Sequence, residues 1–202
     1  LITPAGAVPG DFILCTKPIG LEIAVNLALM KRGVAGKLFG TPRTKELADL
    51  VSLQSCVKEA LMLTKIGGVH AMHDATEGGL TAALNEVAEA SGVGFKIEFE
   101  KIPVPNEVYT LQKHFNLSNG QIMSMSSTGT ILAAVNPEAK DKVEGFLRQS
   151  GVEARFLGVF TESNRRLLIK NGCESLFPRR ADDPYERILS KNNKKNSYKM
   201  NG

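Results

Sequence analysis

The sequence predicts an α/β fold in which a mixed β-sheet is flanked by helices. Segments with helical spacing of apolar residues alternate with short strand-like segments, and glycine or proline turns separate them. A hairpin-like pair of strands late in the chain indicates a mixed sheet. With 202 residues, of which 43% are hydrophobic, the chain is long enough to bury one sizeable core. We therefore expect one layered domain over residues 1–190.

The predicted elements are placed by apolar alternation for strands and by a spacing of three to four residues for helices. In chain order they are a strand at Asp11–Thr16, helices at Leu21–Lys31 and Thr44–Lys65, a strand at Val69–His73, a helix at Glu77–Ala90, a strand at Gly94–Phe99, a helix at Asn106–His114, strands at Gln121–Met125 and Gly129–Val135, a helix at Pro137–Gln149, strands at Ala154–Phe160 and Arg166–Ile169, and a last helix at Pro184–Leu189.

The segment His70–Thr81 is the most informative part of the chain, because polar, charged and glycine residues gather where a strand turns into a helix. Asp74 and Glu77 have the spacing of a capping box, in which the first side chain accepts from the backbone and the second reaches back. Gly92 can supply a left-handed end to this helix. Its predicted apolar face consists of Leu80, Ala83, Leu84, Val87 and Ala88.

A glycine-rich helix start leaves free N–H groups at a positive dipole end, which is a ready site for phosphate or carboxylate. Capping without any ligand is the alternative, because well-capped helices show the same residue types. His70 and His73 could also belong to a metal site. A metal needs three or four convergent ligands, however, and a third is not evident in the sequence.

The composition favours a cytoplasmic protein, since the sequence has no apolar run of membrane-spanning length and no secretory signal. Cys15, Cys56 and Cys173 are widely spaced, so reduced thiols are expected rather than disulfides or a zinc ribbon. Cys15 and Cys56 lie in apolar patterns and are expected in the core. Cys173 is expected at the surface.

The net charge of +4 is concentrated in residues 191–202, a polar basic tail that we expect to be disordered. The remaining residues carry no net charge, so the sequence does not favour a nucleic-acid partner. The lysines concerned are Lys191, Lys194, Lys195 and Lys199.

Two further segments could bind an anion. Lys17 follows a strand and could reach a phosphate, while Gly20 would let a ligand approach the backbone. A solvated lysine in a proline-shaped loop is the alternative. Thr128 and Gly129 lie in a hydroxyl-rich turn before an apolar strand, where a simple polar turn is the alternative.

Three segments stand out together: residues 73–94 (HDATEGGLTAALNEVAEASGVG), 10–20 (GDFILCTKPIG) and 126–135 (SSTGTILAAV). They resemble the C-terminal domain of the aminoimidazole ribonucleotide (AIR) synthase-related family, and within it the HypE-like hydrogenase-maturation proteins and their archaeal relatives. The resemblance covers residues 6–170.

This resemblance implies an ATP-dependent enzyme that activates an oxygen of a small or protein-borne carbonyl substrate by phosphoryl transfer. ATP and Mg²⁺ would be held mainly by an N-terminal domain absent from this chain, which would also form a homodimer. The present domain would supply the substrate or phosphate side of the cleft. In this interpretation Thr76, Gly78 and Gly79 donate to a phosphate, His73 is an acid or base, and Asp74 or Glu77 caps the helix or holds Mg²⁺.

One departure and two alternatives accompany the resemblance. HypE proteins end in a cysteine that carries the group converted to a nitrile, whereas this sequence ends in Tyr198-Lys-Met-Asn-Gly202, which leaves the nitrile chemistry open. A selenophosphate synthetase-like enzyme is favoured by Thr16-Lys-Pro-Ile-Gly20 and disfavoured by Glu77-Gly-Gly79. The other alternative is a non-catalytic interaction or dimerisation module.

Overall fold

A computed structural model describes residues 1–190 as a seven-stranded sheet with helices packed on both faces. The predicted disordered tail, residues 191–202, lies outside the described residues. The strands are β1 Phe12–Thr16, β2 Val69–Asp74, β3 Gly94–Glu98, β4 Ile131–Val135, β5 Ala154–Thr161, β6 Arg166–Lys170 and β7 Cys173–Leu176. The helices are α1 Leu21–Met30, α2 Arg32–Phe39, α3 Thr41–Asp49, α4 Val57–Ile66, α5 Gly79–Ser91, α6 Asn106–Phe115, α7 Asn119–Met123, α8 Lys140–Gln149 and α9 Tyr185–Leu189.

The sheet is mixed, as predicted, with the strand order β2-β4-β1-β5-β3-β6-β7. Strands β3 and β6 are parallel, and the other neighbouring strands pair antiparallel. β1 lies between β4 and β5, and Phe12 is opposite Val135 of β4 and Val159 of β5. The hairpin found late in the chain joins β6 to β7, a strand that the sequence did not predict. The predicted strands at Ala154–Phe160 and Arg166–Ile169 do not pair with each other, since β3 lies between them.

Two apolar layers cover the sheet, because successive strand residues point to opposite faces. On β1, Ile13 and Cys15 pack with the larger cluster, which includes α1, α5 and α6, whereas Leu14 packs with the smaller one. The smaller layer contains Leu63 of α4 and Val143 of α8. This arrangement is the layered α/β architecture that the sequence predicts.

Two predicted elements are wrong. The predicted helix Thr44–Lys65 is interrupted by a 3₁₀ segment, Leu50–Gln54, and divides into α3 and α4. The predicted strand Gln121–Met125 is instead helix α7, because the Ser118 hydroxyl accepts from the Gln121 backbone and the Gln121 side chain accepts from the Ser118 N–H. This reciprocal pair is a capping box, which favours a helix.

The cysteines follow the predicted burial at two of three positions. Cys15 is buried and Cys173 is exposed, whereas Cys56 is only half-buried because it lies at the start of α4 rather than in the core. The longest helix, α5, has 13 residues. Among residues 1–190, no helix combines the length and apolarity that crossing a bilayer would require.

Candidate anion site at the start of helix α5

The connection from β2 to α5 is held against the loop that precedes β4. The Ala75 N–H donates to the Thr130 carbonyl at 2.9 Å, and the Ser127 N–H donates to the Ala75 carbonyl at 3.0 Å. These two hydrogen bonds bring the segment Ala75–Gly79 beside the loop Ser126–Thr130. The two glycine-bearing segments that the sequence singled out are therefore neighbours in the fold.

Two glycines in the left-handed region delay the start of α5. Gly78 has φ +74° and Gly79 has φ +56°, and the helix begins at Gly79. A Cβ on Gly79 would lie 2.2 Å from the Met125 carbonyl oxygen, so only glycine permits this approach of the two backbones. The predicted capping box is wrong: Asp74 belongs to β2 and Gly78, which has no capping side chain, precedes the first helical turn.

The loop Ser126–Thr128 presents hydrogen-bond donors, and two carboxylates of the chain itself accept from them. The Ser126 hydroxyl and the Thr128 N–H each donate to Glu22 Oε2 at 2.8 Å. The Ser126 N–H donates to Asp183 Oδ2 at 3.0 Å, and the Gly78 N–H is near enough to lower the pKa of Asp183. We name this donor set, the N–H groups of Gly78, Ser126 and Thr128 with the Ser126 hydroxyl, the anion cradle.

The Asp183 carboxylate is half-buried in the cradle. Burial raises the pKa of Asp183, and the nearby Glu22 carboxylate adds to the increase. Hydrogen bonds from the backbone N–H groups lower this pKa in part, because they stabilise the charged form. Two carboxylates on one donor set indicate that the chemistry of the cradle suits negatively charged oxygen atoms.

The predicted glycines and threonines lie around the cradle. Thr76 is half-buried and its carbonyl accepts from the Gly79 N–H at 3.0 Å. Gly20, which precedes α1 at φ +70°, donates to the Ser127 hydroxyl at 2.8 Å. Gly129 lies against the 3₁₀ segment, since a Cβ there would be 2.1 Å from the Leu53 carbonyl oxygen. Each of these contacts fixes the loop geometry that presents the donors.

The three predicted catalytic residues are at the end of β2 and in the turn after it. His73 Nε2 lies 2.7 Å from Glu86 Oε2 on α5, and His73 Nδ1 lies 2.7 Å from the Asp74 carbonyl oxygen. Asp74 and Glu77 are exposed. His70 is separate from them, because its Nδ1 bonds the buried Asp11 carboxylate at 2.9 Å on the other side of the strand.

Lys17 is buried, and its ammonium group has partners within the fold. It donates to the Leu53 carbonyl at 3.1 Å and the Ser55 carbonyl at 2.7 Å, and it lies 3.3 Å from Glu59 Oε1. The side chains of Lys17 and Glu59 are each 8% exposed. These contacts attach the loop after β1 to the segment that joins α3 and α4, so a phosphate at Lys17 would have to compete with them.

The described residues suit an anion better than a metal ion. Within residues 1–190, no three His, Cys, Asp or Glu side chains converge in a way that could hold a metal. The cradle, in contrast, offers hydrogen-bond donors from two loops, which fit the oxygen atoms of a phosphate. We therefore derive no step through Mg²⁺ from this chain.

Sequence reasoning missed the two carboxylates in the cradle. Glu22 had a local signal, because it follows the conspicuous Thr16–Leu21 segment in the first turn of a predicted helix. Asp183 had no such local signal, since its donor Ser126 is 57 residues away in the sequence. Only the tertiary fold brings this pair together.

Comparison with known proteins places the chain in a family. Residues 8–170 match the model of the AIR synthase related protein family, C-terminal domain. The chain belongs to this family. Its seven-stranded mixed sheet with helices on both faces is the fold that the family membership predicts.

Within the family, the similar proteins include hydrogenase-maturation proteins. The chain is 32% identical over 164 residues to a protein of Methanocaldococcus jannaschii named as a hydrogenase expression/formation protein, covering 80% of this chain and 45% of that one. It is 33% identical over 154 residues to the carbamoyl dehydratase HypE of Rhizobium leguminosarum bv. viciae, covering 74% and 40%.

A solved structure agrees with these similarities. The crystal structure of HypE from E. coli superimposes with a TM-score of 0.71 at 26% identity, covering 93% of this chain and 55% of the other. The chain thus spans about half the length of the relatives that it matches.

Proposed function

We propose that this chain is the C-terminal domain of a HypE-like, ATP-dependent enzyme that activates a carbonyl oxygen by phosphoryl transfer. The relative from Rhizobium leguminosarum is named a carbamoyl dehydratase, and removing an oxygen from a carbamoyl group requires that oxygen to become a good leaving group. Transfer of a phosphoryl group to the oxygen achieves this activation. The substrate would be a small or protein-borne carbonyl compound.

The anion cradle is the observation that carries the proposal. Its donors are backbone N–H groups and one hydroxyl. They lie on two segments, the connection from β2 to α5 and the loop that precedes β4. Phosphoryl transfer depends mainly on positioning and on stabilising charged oxygen atoms, and fixed backbone donors do both without reorganising. Gly78 and Gly79 with Thr76 on one side, and Thr128 and Gly129 on the other, would hold the phosphate.

His73, Asp74 and Glu77 are proposed to serve the reacting end of the substrate. Glu86 and the Asp74 carbonyl hold the two nitrogens of the His73 imidazole and fix its orientation, and proton transfer to a substrate would use one nitrogen once its present contact opens. The exposed Asp74 and Glu77 carboxylates face solvent at the end of β2, where a second domain could approach. In the whole protein one of them would contribute to an Mg²⁺ site completed from that second domain, which would also hold ATP and form the homodimer.

Phosphate binding to this chain can be tested by amide NMR. A titration with inorganic phosphate should give saturable shifts at the Gly78, Ser126 and Thr128 amides. Gly92, a glycine at the opposite end of α5, is the internal control and should not move. If the three cradle amides remain unchanged up to high phosphate concentration, both in the wild-type chain and in Asp183→Ala, the cradle is not an anion site and the proposed function loses its basis.

The catalytic roles can be tested by ATP turnover in the full-length protein. His73→Asn, Asp74→Asn and Glu77→Gln should each lower kcat by about a hundredfold or more, the usual scale for general acid–base groups. Glu89→Gln is the matched control, because Glu89 is an exposed glutamate on the same helix, away from its start. Unchanged turnover in all three variants would contradict the roles. Calorimetry that shows no ATP binding to the full-length protein would favour the interaction module.

A further inference from the structure

A C-terminal segment beyond the family match crosses the anion cradle. The family model ends at residue 170, and the strand β7 follows it. Residues 177–190, which we name the strap, then return across the start of α5. The strap is the source of Asp183, so a segment beyond the residues that the family model matches places a negative charge on donors within them.

The strap is anchored by apolar residues at both ends. Near its start, Phe177 is 2% exposed and packs edge-on against Phe95, with 5.0 Å between the ring centroids. Near its end, Ile188 is fully buried in the same core cluster. Residues 179–182 between these anchors are exposed. The middle of the strap can therefore leave the cradle without uncovering the core.

The contacts of the middle of the strap with the domain are close and polar. The Gln121 side chain donates to Asp182 Oδ2 at 3.0 Å, and a Cβ on Gly78 would lie 2.9 Å from the Ala181 Cβ. The Tyr185 N–H donates to Asp183 Oδ1 at 2.9 Å, which fixes the orientation of the carboxylate. Its other oxygen, Oδ2, accepts from the Ser126 N–H, as an oxygen of a bound phosphate would.

The placement of Asp183 beside Glu22 is electrostatically unfavourable for Asp183. Two like charges on one donor set oppose each other, and burial removes water that would screen them. A carboxylate that is held against such repulsion is easier to displace than one in an isolated site. Replacing it with a ligand that makes more hydrogen bonds to the same donors requires residues 179–183 to move, that is, the exposed middle of the strap and the half-buried Asp183.

We propose that the strap regulates the cradle: Asp183 is an internal competitor that occupies the donors of Gly78 and Ser126 until a phosphate-bearing ligand displaces it. This inference rests on the proposed function, since it requires the cradle to be the phosphate site. In the closed state the cradle is unavailable to phosphate. In the open state residues 179–183 lift away while Phe177 and Ile188 stay in the core.

The test compares inorganic phosphate binding by the full 202-residue chain and its variants. Asp183→Ala frees the Ser126 and Gly78 N–H groups, whereas Glu22 keeps its own two donors. Asp141→Ala is the matched control, because it removes an exposed carboxylate on α8, away from the strap, and changes the net charge equally. We expect Asp183→Ala to bind phosphate about tenfold or more tightly than Asp141→Ala, since a ligand binds more weakly when its competent state is only partly populated. Amide shifts of Gly78 and Ser126 report where phosphate binds.

Asp183→Asn provides a second variant that keeps the side-chain volume. It should also bind phosphate more tightly than wild type, because it removes the charge that excludes an anion. Equal affinities of all four proteins, with phosphate shifting the Gly78 and Ser126 amides, would overturn the strap as a competitor and leave the cradle as the phosphate site. If phosphate shifts these amides in none of the proteins, both the cradle and the strap proposal are wrong.

Discussion

The close approach at Gly79 gives the sharpest prediction for stability. Gly79→Ala introduces a Cβ at φ +56° that would lie 2.2 Å from the Met125 carbonyl oxygen and 3.0 Å from that of Met123. The shorter distance is about 0.8 Å below the closest approach that real Cβ atoms make. The loop Met123–Ser127 or the start of α5 must therefore shift to accommodate the alanine.

The magnitude follows from two separable costs. A left-handed alanine costs roughly 1–2 kcal/mol, and the lower entropy of the unfolded chain offsets roughly 0.4–1 kcal/mol of this. Forcing two packed backbones apart adds about 1–3 kcal/mol. We therefore expect Gly79→Ala to lower the free energy of unfolding by about 2–4 kcal/mol.

Gly92→Ala is the matched control at the other end of the same helix. Gly92 has φ +67°, and a Cβ there would meet nothing within 4 Å. This variant should lose only the conformational part, about 1 kcal/mol. Urea unfolding followed by circular dichroism measures both values. A loss for Gly79→Ala no larger than that for Gly92→Ala would show that the backbones are not in close contact and would refute this reasoning.

Three further predictions concern buried charge, thiols and pH. Lys17→Met should lower the free energy of unfolding by about 3–5 kcal/mol, because it leaves the Glu59 carboxylate buried without its partner. The control Lys58→Met, at an exposed lysine, should change this free energy by less than about 0.5 kcal/mol, and adding Glu59→Leu to Lys17→Met should recover part of the loss. Equal losses in the two lysine variants would contradict the buried pair. When thiol alkylation is followed by mass spectrometry, Cys173 should be modified in the folded protein, because it is exposed, and Cys15 only after unfolding, because burial raises its pKa to about 12. Rapid modification of Cys15 in the folded protein would disprove its placement in the core. The raised pKa of Asp183 means that the folded state binds a proton more tightly than the unfolded state, so its contribution to stability is full below the unfolded pKa of about 3.9 and is lost as pH rises through the folded pKa. The free energy of unfolding of Asp183→Asn, measured with urea relative to wild type, should therefore increase between about pH 3 and pH 7, since Glu22 is present in both proteins. A decrease over this range would show that the pKa of Asp183 is not raised by folding.

The sequence predicted most strands and helices because their apolar spacing is local. The apolar face of α5 and the left-handed end at Gly92 are both found as expected. The predicted start of α5 was wrong. Asp74 and Glu77 have the spacing of a capping box, but Gly78 and Gly79 adopt left-handed conformations instead, which the close backbone contact of Gly79 with Met125 requires. The predicted strand Gln121–Met125 was wrong because Ser118 and Gln121 form a capping box, which starts helix α7 there.

The candidate site could be predicted only in part. The segment around Gly78 and the loop at Thr128 were each identified from the sequence, but their contact depends on pairing of β2 with β4. The inward position of Lys17 depends on Glu59, a partner 42 positions further along the sequence. Asp183 depends on a strap that returns across the domain. Long-range contacts of this kind leave no periodic signal in the sequence.

The cradle donors are mainly backbone groups, and this has a consequence for divergence within the family. A backbone N–H is supplied by every residue type except proline, so mutations at Ser126 or Thr128 can change which side chains surround a ligand while the N–H donors persist. The glycines at 78 and 79 are far less replaceable, because neighbouring atoms occupy the space of a Cβ. Natural variation could thus alter substrate preference freely at one side of the site, provided that the glycines on the other side are retained.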